Sequence, residues 1–146
     1  MYQHTQRAPL HWILYLPAGG LFFVAWQIRL ESQLSIVFGL VGFLLIVLAL
    51  SFKELTVREK DDHLEVRFGP LRIFGTDIRF SEITDVEIGK TKLIDGWGIH
   101  YVPFRGWALN LWGFNCVKIT RKTSVIRIGS DDAEQLTEVV ARRVKA

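Results

Sequence analysis

The chain has 146 residues, enough for one domain with additions, and a formal net charge of +3. Its single cysteine, Cys116, excludes an internal disulfide and fits a reducing compartment, and no Cys/His spacing matches a zinc site. Charge is unevenly placed: 16 of the 18 Lys and Arg and 14 of the 15 Asp and Glu lie from Lys53 onward, a near balance without a basic block that argues against nucleic-acid binding.

Residues 1–9 read as an N-terminal arm. Residues 10–52 read as a two-helix transmembrane hairpin, with spans at 10–28 and 34–52. The second stretch, "LSIVFGLVGFLLIVLALSF", has fourteen Leu, Ile, Val or Phe among nineteen residues and no charge. On an insertion scale those side chains contribute about −4 to −8 kcal/mol. The first stretch, "LHWILYLPAGGLFFVAWQI", is also uncharged. Trp12, Tyr15 and Trp26 are placed as membrane-interface anchors, because amphipathic rings favour the headgroup zone. Pro17, Gly19 and Gly20 predict a kink. A cleaved signal peptide fits less well, since only Arg7 precedes the apolar run and no small-x-small site follows. Arg7, Lys53, Arg58 and Lys60 outweigh Arg29 in the intervening turn. Both termini are therefore expected on the cytoplasmic side.

From Lys53 the pattern changes to a period of two, which predicts strands. Leu55 and Val57 alternate with polar residues, Asp61-Asp62 make a tight turn, and Leu64, Val66 and Phe68 follow. "LRIFGTDIRF" and "SEITDVEIGK" read as two more strands, and "NCVKITRKTSVIRIGS" as a hairpin with Val117, Ile119, Ile126 and Ile128 inward. The last stretch, "SDDAEQLTEVVARRVKA", predicts an amphipathic helix. Asp131 is the expected N-cap, Leu136, Val139, Val140 and Val144 form one stripe, and Arg142, Arg143 and Lys145 stand in the last turn.

Between these strands stands "GWGIHYVPFRGWALNLWGF", Gly96 to Phe114, with three Trp, one Tyr, two Phe and one charge. Its length suits a membrane span, but a central Arg105 costs about 2.5–3.5 kcal/mol there. Alternation instead predicts strands at 97–102 and 107–112 joined by a turn at Val102–Gly106. The rings then either fill the core or make an exposed face for a partner or lipid surface. The candidate contacts for such a face are Trp97, Tyr101, Phe104, Arg105, Trp107 and Trp112.

About seven antiparallel strands and one closing helix predict a small mainly-β barrel with a C-terminal capping helix. The stretches "LEVRFGPLRIFGTDIRFSEITDVEI", "DGWGIHY", Gly106-Trp107 with Gly113, and "VKITRK…VIRIGSDDAEQLTEVV" resemble bacterial pleckstrin-homology-like (PH-like) domains. The resemblance covers 53–146, about two thirds of the chain. It implies a PH-like domain behind two membrane helices, as in small bacterial membrane proteins, and it speaks to fold more than to function. Relatives of this fold in eukaryotes often bind inositol phosphates through basic residues near the first hairpin. Asp61 and Asp62 stand there instead, so no phosphoinositide pocket is expected.

No catalytic set emerges. His4, His11, His63 and His100 lie in different settings, Ser81, Ser124 and Ser130 lack motif context, and Asp61-Asp62 and Asp131-Asp132 suit turn and cap roles. No catalytic residue, metal site or cofactor is expected. The expectation is a non-enzymatic, multi-pass protein of a bacterial inner membrane, integral in the bilayer, with its PH-like domain cytoplasmic. That domain would act as a scaffold or assembly module for a protein partner or for self-association. Lipid-surface sensing by the aromatic hairpin 97–112 is the alternative, and an enzyme with an unrecognised site the distant one.

Overall fold

The computed structural model describes residues 1–92 and 95–145. In chain order these form β1 (Gln3–Arg7), α1 (His11–Gln27), α2 (Ser32–Ser51), β2 (Glu54–Glu59), β3 (His63–Phe68), β4 (Phe74–Arg79), β5 (Ile83–Lys90), β6 (Gly98–Val102), β7 (Gly106–Asn110), β8 (Asn115–Arg121), β9 (Val125–Gly129) and α3 (Ala133–Lys145).

The expected arm is a strand. β1 pairs antiparallel with β2, from Gln3 opposite Arg58 to Arg7 opposite Glu54. The Thr5 and Thr56 hydroxyls meet across the pair at 2.9 Å, and the Tyr2 backbone N–H donates to the Glu59 carboxylate at 2.8 Å. The chain then leaves the sheet, forms the packed pair α1 and α2, and returns one strand away. Ala8 N–H donates to the Lys53 carbonyl at 3.2 Å, so both feet of the helical pair stand side by side on one face.

The two-helix transmembrane hairpin is not supported. Among the described residues one helix, over Gln33–Ser51, is long and apolar enough to cross a membrane. The uncharged run at 10–28 folds into a helix of only 17 residues, about 25 Å at 1.5 Å per residue, against a hydrocarbon thickness of about 30 Å. The Gln33–Ser51 helix is not a core helix either, because 17% of it is buried within the fold.

The single seven-stranded barrel is also overturned. The described residues make nine strands in two sheets, β1-β2-β3-β4 and β5-β8-β9-β7-β6. β7 and β9 pair in parallel, so the second sheet is mixed. The first sheet is a meander whose β2–β3 turn is the two-residue Asp61-Asp62 step, closed by Lys60 N–H to the His63 carbonyl at 2.9 Å.

Period-two alternation places the core as expected. Leu55, Val57, Leu64, Val66, Phe68, Val117, Ile119, Ile126 and Ile128 are all buried. α3 covers this core with Leu136, Val139 and Val140 buried and Val144 packed beside them. Its start differs in detail. The Ser130 hydroxyl accepts the Asp132 N–H at 3.0 Å, while Asp131, the expected cap, turns to His4 at 2.5 Å.

Candidate interaction site on the β6–β7 hairpin

β6 and β7 pair with Ile99 opposite Leu109 and Tyr101 opposite Trp107. That register sets these four side chains on one face of the hairpin. No third span forms here, since the expected strands take the aromatic stretch. The six candidate residues separate into a tip, a base and a pin.

The tip is Tyr101, Phe104 and Trp107. The Tyr101 and Trp107 rings meet edge to face at 5.8 Å, an arrangement that suits aromatic quadrupoles. Both remain exposed, at 59% and 44%. The turn is closed by Arg105 N–H to the Val102 carbonyl at 3.0 Å. Pro103 at its second position and φ 62° at Phe104 in its third fit a type II turn. That third position favours Gly, because a left-handed φ crowds a bulky side chain. Phe104 occupies it nonetheless, and its ring is wholly exposed.

The base is Trp97 and Trp112, stacked at 5.1 Å with 26° between ring planes. The Gln6 side-chain amide donates to the Trp112 carbonyl at 3.0 Å and ties this base to β1. Trp97 also lines an apolar cavity of about 250 Å³ with Leu10, Ile13, Leu14, Phe52, Gly98 and Leu111. The base therefore abuts the feet of α1 and α2. The tip lies four residues further along β6, about 13 Å away.

The pin is Arg105. Its guanidinium turns inward and donates to Asp95 at 2.8 Å, and Asp95 is only 1% exposed. The same carboxylate oxygen accepts the Lys92 N–H at 2.6 Å. The Arg105 carbonyl accepts from the Arg127 guanidinium. Beneath this loop the Asn110 amide donates to Thr91 Oγ1 at 3.3 Å and to the Gly113 carbonyl at 3.0 Å. Arg105 thus fastens the hairpin to the loop before it, and its charge is spent there.

The expected interface anchors fall at opposite ends of α1. Trp12 and Tyr15 cluster with His11 at the feet, with Trp12 and Tyr15 at 5.6 Å. Trp26 stands at the far end beneath the Arg29 guanidinium, 5.0 Å away. Sequence reasoning missed a further apolar pair, Leu71 and Ile73, both exposed in the β3–β4 loop. Gly69 starts that loop with φ 64°, where a Cβ would meet the Leu50 carbonyl at 2.4 Å. Phe74 ends it stacked on Phe52 at 6.0 Å. The loop is thereby pressed against the foot of α2. The signal is "GPLRIF", whose apolar residues read as part of a strand that begins only at Phe74.

Titratable groups elsewhere are held by structural partners. Glu59 lies below the usual glutamate range, chiefly because it accepts the Tyr2 backbone N–H and then because Arg143 donates to it. Asp62 is lowered by the hydrogen bond with His63, and Glu87 by Lys118. Burial raises the Cys116 thiol, which favours the inert protonated form. Burial, with Asp132 beside it, raises Tyr2. His11 bonds the Ala8 carbonyl at 2.7 Å, and no group of three metal-ligating side chains forms among the described residues.

No protein-family model matches the chain, and no curated protein matches it.

Proposed function

We propose that this chain is a non-enzymatic membrane-proximal interaction module. The apolar helix over Gln33–Ser51 rests in the lipid of a bacterial inner membrane. The folded domain lies on the cytoplasmic side, and the tip of the β6–β7 hairpin docks a protein partner. The likeness to bacterial PH-like membrane proteins rests on the quoted stretches alone and speaks to fold more than to function; the scaffold role rests on the exposed tip.

Phe104 is the observation that carries it. A wholly exposed Phe at φ 62° gains nothing for the fold from its ring and strains the backbone that holds it. Glycine would satisfy the turn at lower cost. A side chain kept under those terms makes sense where its contacts lie outside the chain, and an exposed aromatic beside two others suits the centre of a protein interface. The test is co-purification of the full chain from native membranes. Phe104→Gly should remove a partner that the parent chain retains, with membrane fractionation unchanged. Retention of every partner would overturn the reading.

The base supports lipid contact as a second reading. Trp97 and Trp112 stand beside the helix feet, with Leu71 and Ile73 exposed nearby. Rings at that height suit the headgroup zone. Trp112→Ala should weaken contact with anionic vesicles while leaving the partner in place.

A further inference from the structure

The two sheets end in four edge strands: β1 and β4 in one, β5 and β6 in the other. An unpaired edge invites another strand, and proteins blunt it with charge, proline or a bulge. Three of these edges are blunted. β1 ends in Arg7, β4 carries Asp77 and Arg79, and β5 carries Asp85, Glu87 and Lys90 with a register break between Ile83 and Asp85. β6, "GIHYV", has no charge, no proline and no bulge. Among the described residues its ladder partner is β7 alone, and its other backbone bond is the turn contact from Arg105 to Val102.

Beside this open edge lies a cavity of about 230 Å³. It is lined by Gly75 and Thr76 of β4, Ile99 of β6, Trp107 and Leu109 of β7, Arg121 and Ile126. The cavity therefore lies in a seam between β4, the edge of the first sheet, and the face of the second sheet at its open β6 side. Phe52 stands beside both strands: its ring stacks on Phe74 at 6.0 Å and lies 3.6 Å from where a Gly98 Cβ would stand. Arg121 gives the seam a positive charge. Its Nε is buried with no hydrogen-bond partner among the described residues. Its Nη2 donates to Ser124 Oγ at 2.6 Å, and its Nη1 makes a long ion pair with the Glu82 carboxylate at 3.7 Å. A buried donor left over beside the cavity asks for an acceptor, and a carboxylate satisfies it best.

We infer that the seam is a strand-docking groove, which takes an extended, carboxylate-bearing segment of a partner protein along the edge of β6. The segment completes the ladder with its backbone, sets alternate apolar side chains against Ile99 and Trp107, and offers an acid to Arg121. β4 bounds the far side of the cavity. That suits a lone strand and obstructs the edge of a second copy, whose β6 brings its own sheet with it. The inference rests on the docking reading above and names the kind of partner segment.

The test presents an array of random nine-residue peptides to the full chain in detergent. Bound peptides should alternate apolar residues at period two and carry Asp or Glu. The strongest should slow amide exchange across Gly98–Val102 in the unaltered protein. Arg121→Gln should weaken it about tenfold, the scale of one charge-assisted hydrogen bond. Thr76→Trp, which fills the seam from β4, should abolish binding, while Trp97→Ala at the base should leave it intact. Absence of any bound peptide, selection of peptides without acids, or protection confined to strands other than β6 would each overturn the groove. So would self-cross-linking of Tyr101→Cys in native membranes, which would give the edge to a second copy. If Phe104→Gly removes the native partner and Thr76→Trp does not, tip docking stands and the groove falls.

Discussion

Phe104 and Arg105 are neighbours with opposite fates, and each makes a measurable claim. Phe104 faces out from a left-handed backbone position. Phe104→Gly should therefore raise stability by about 1 kcal/mol, read by thermal melting of the full chain. Arg105 faces in, on an Asp95 that is 1% exposed. Arg105→Ala should cost about 2–3 kcal/mol, because it strands a buried carboxylate. Glu59 gives a pH dependence. Its carboxyl is lowered by the Tyr2 N–H and by Arg143, so its stabilising contribution is complete above the unfolded value of about 4.3 and is lost as pH falls through the lower folded one. Melting temperature should drop on acidification below about pH 4.3, and Glu59→Gln should flatten that part of the curve. The sequence showed which side chains are aromatic here but not which way each points. Alternation alone sets Arg105 among the surface contacts, because its partner Asp95 is ten residues away across a loop whose path no periodicity reveals.

Strands that bury alternate residues were legible because the signal is local. Leu64, Val66 and Phe68, or Ile126 and Ile128, announce their inward face at every second position. β1 was not legible: "QHTQR" has no apolar alternation, and it is a strand because β2 accepts it. The division into two sheets was hidden for the same reason, since the parallel contact of β7 with β9 joins Trp107 to Ile126 across intervening chain. α1 shows the reverse error. An uncharged run counts residues, whereas crossing a bilayer depends on helical rise, and the helix omits Leu10 and Ile28 from that run. α3 follows its stripe closely. Leu136 is fully buried, so Leu136→Asp should cost several kcal/mol by leaving an unpaired charge inside, and the full chain should lose its cooperative melting transition. A fold that kept its melting temperature would remove α3 from the core.

At the scale of the whole molecule, Tyr2 donates from its hydroxyl to Asp132 at 3.2 Å, which joins the first strand to the entrance of the last helix. The two ends of the chain thus belong to one folded body. A membrane that takes up the helix over Gln33–Ser51 therefore leaves both ends, held in that one body, on the same side. Reporters fused before Met1 and after α3 should therefore agree in compartment, and the chain should stay with membranes through an alkaline carbonate wash. Opposite compartments, or release into the soluble fraction, would contradict the membrane proposal.

The β1–β2 pairing also imposes an order in time. Arg7 meets Glu54 in the ladder, and the 46 residues between them include both helices. Closing a flexible loop of that length costs about 3 kcal/mol in chain entropy. β1 emerges from the ribosome first yet has no partner until β2 follows, a wait of seconds at about 5–20 residues per second. If α1 and α2 pack during that interval, they bring Ala8 and Lys53 together and most of the closure cost is met before the sheet starts to form. The helical pair then acts as a splint for the domain it precedes. Loosening it, for instance with Gly42→Leu where a Cβ already meets the Ala18 carbonyl at 3.3 Å, should slow folding of the β1–β2 sheet.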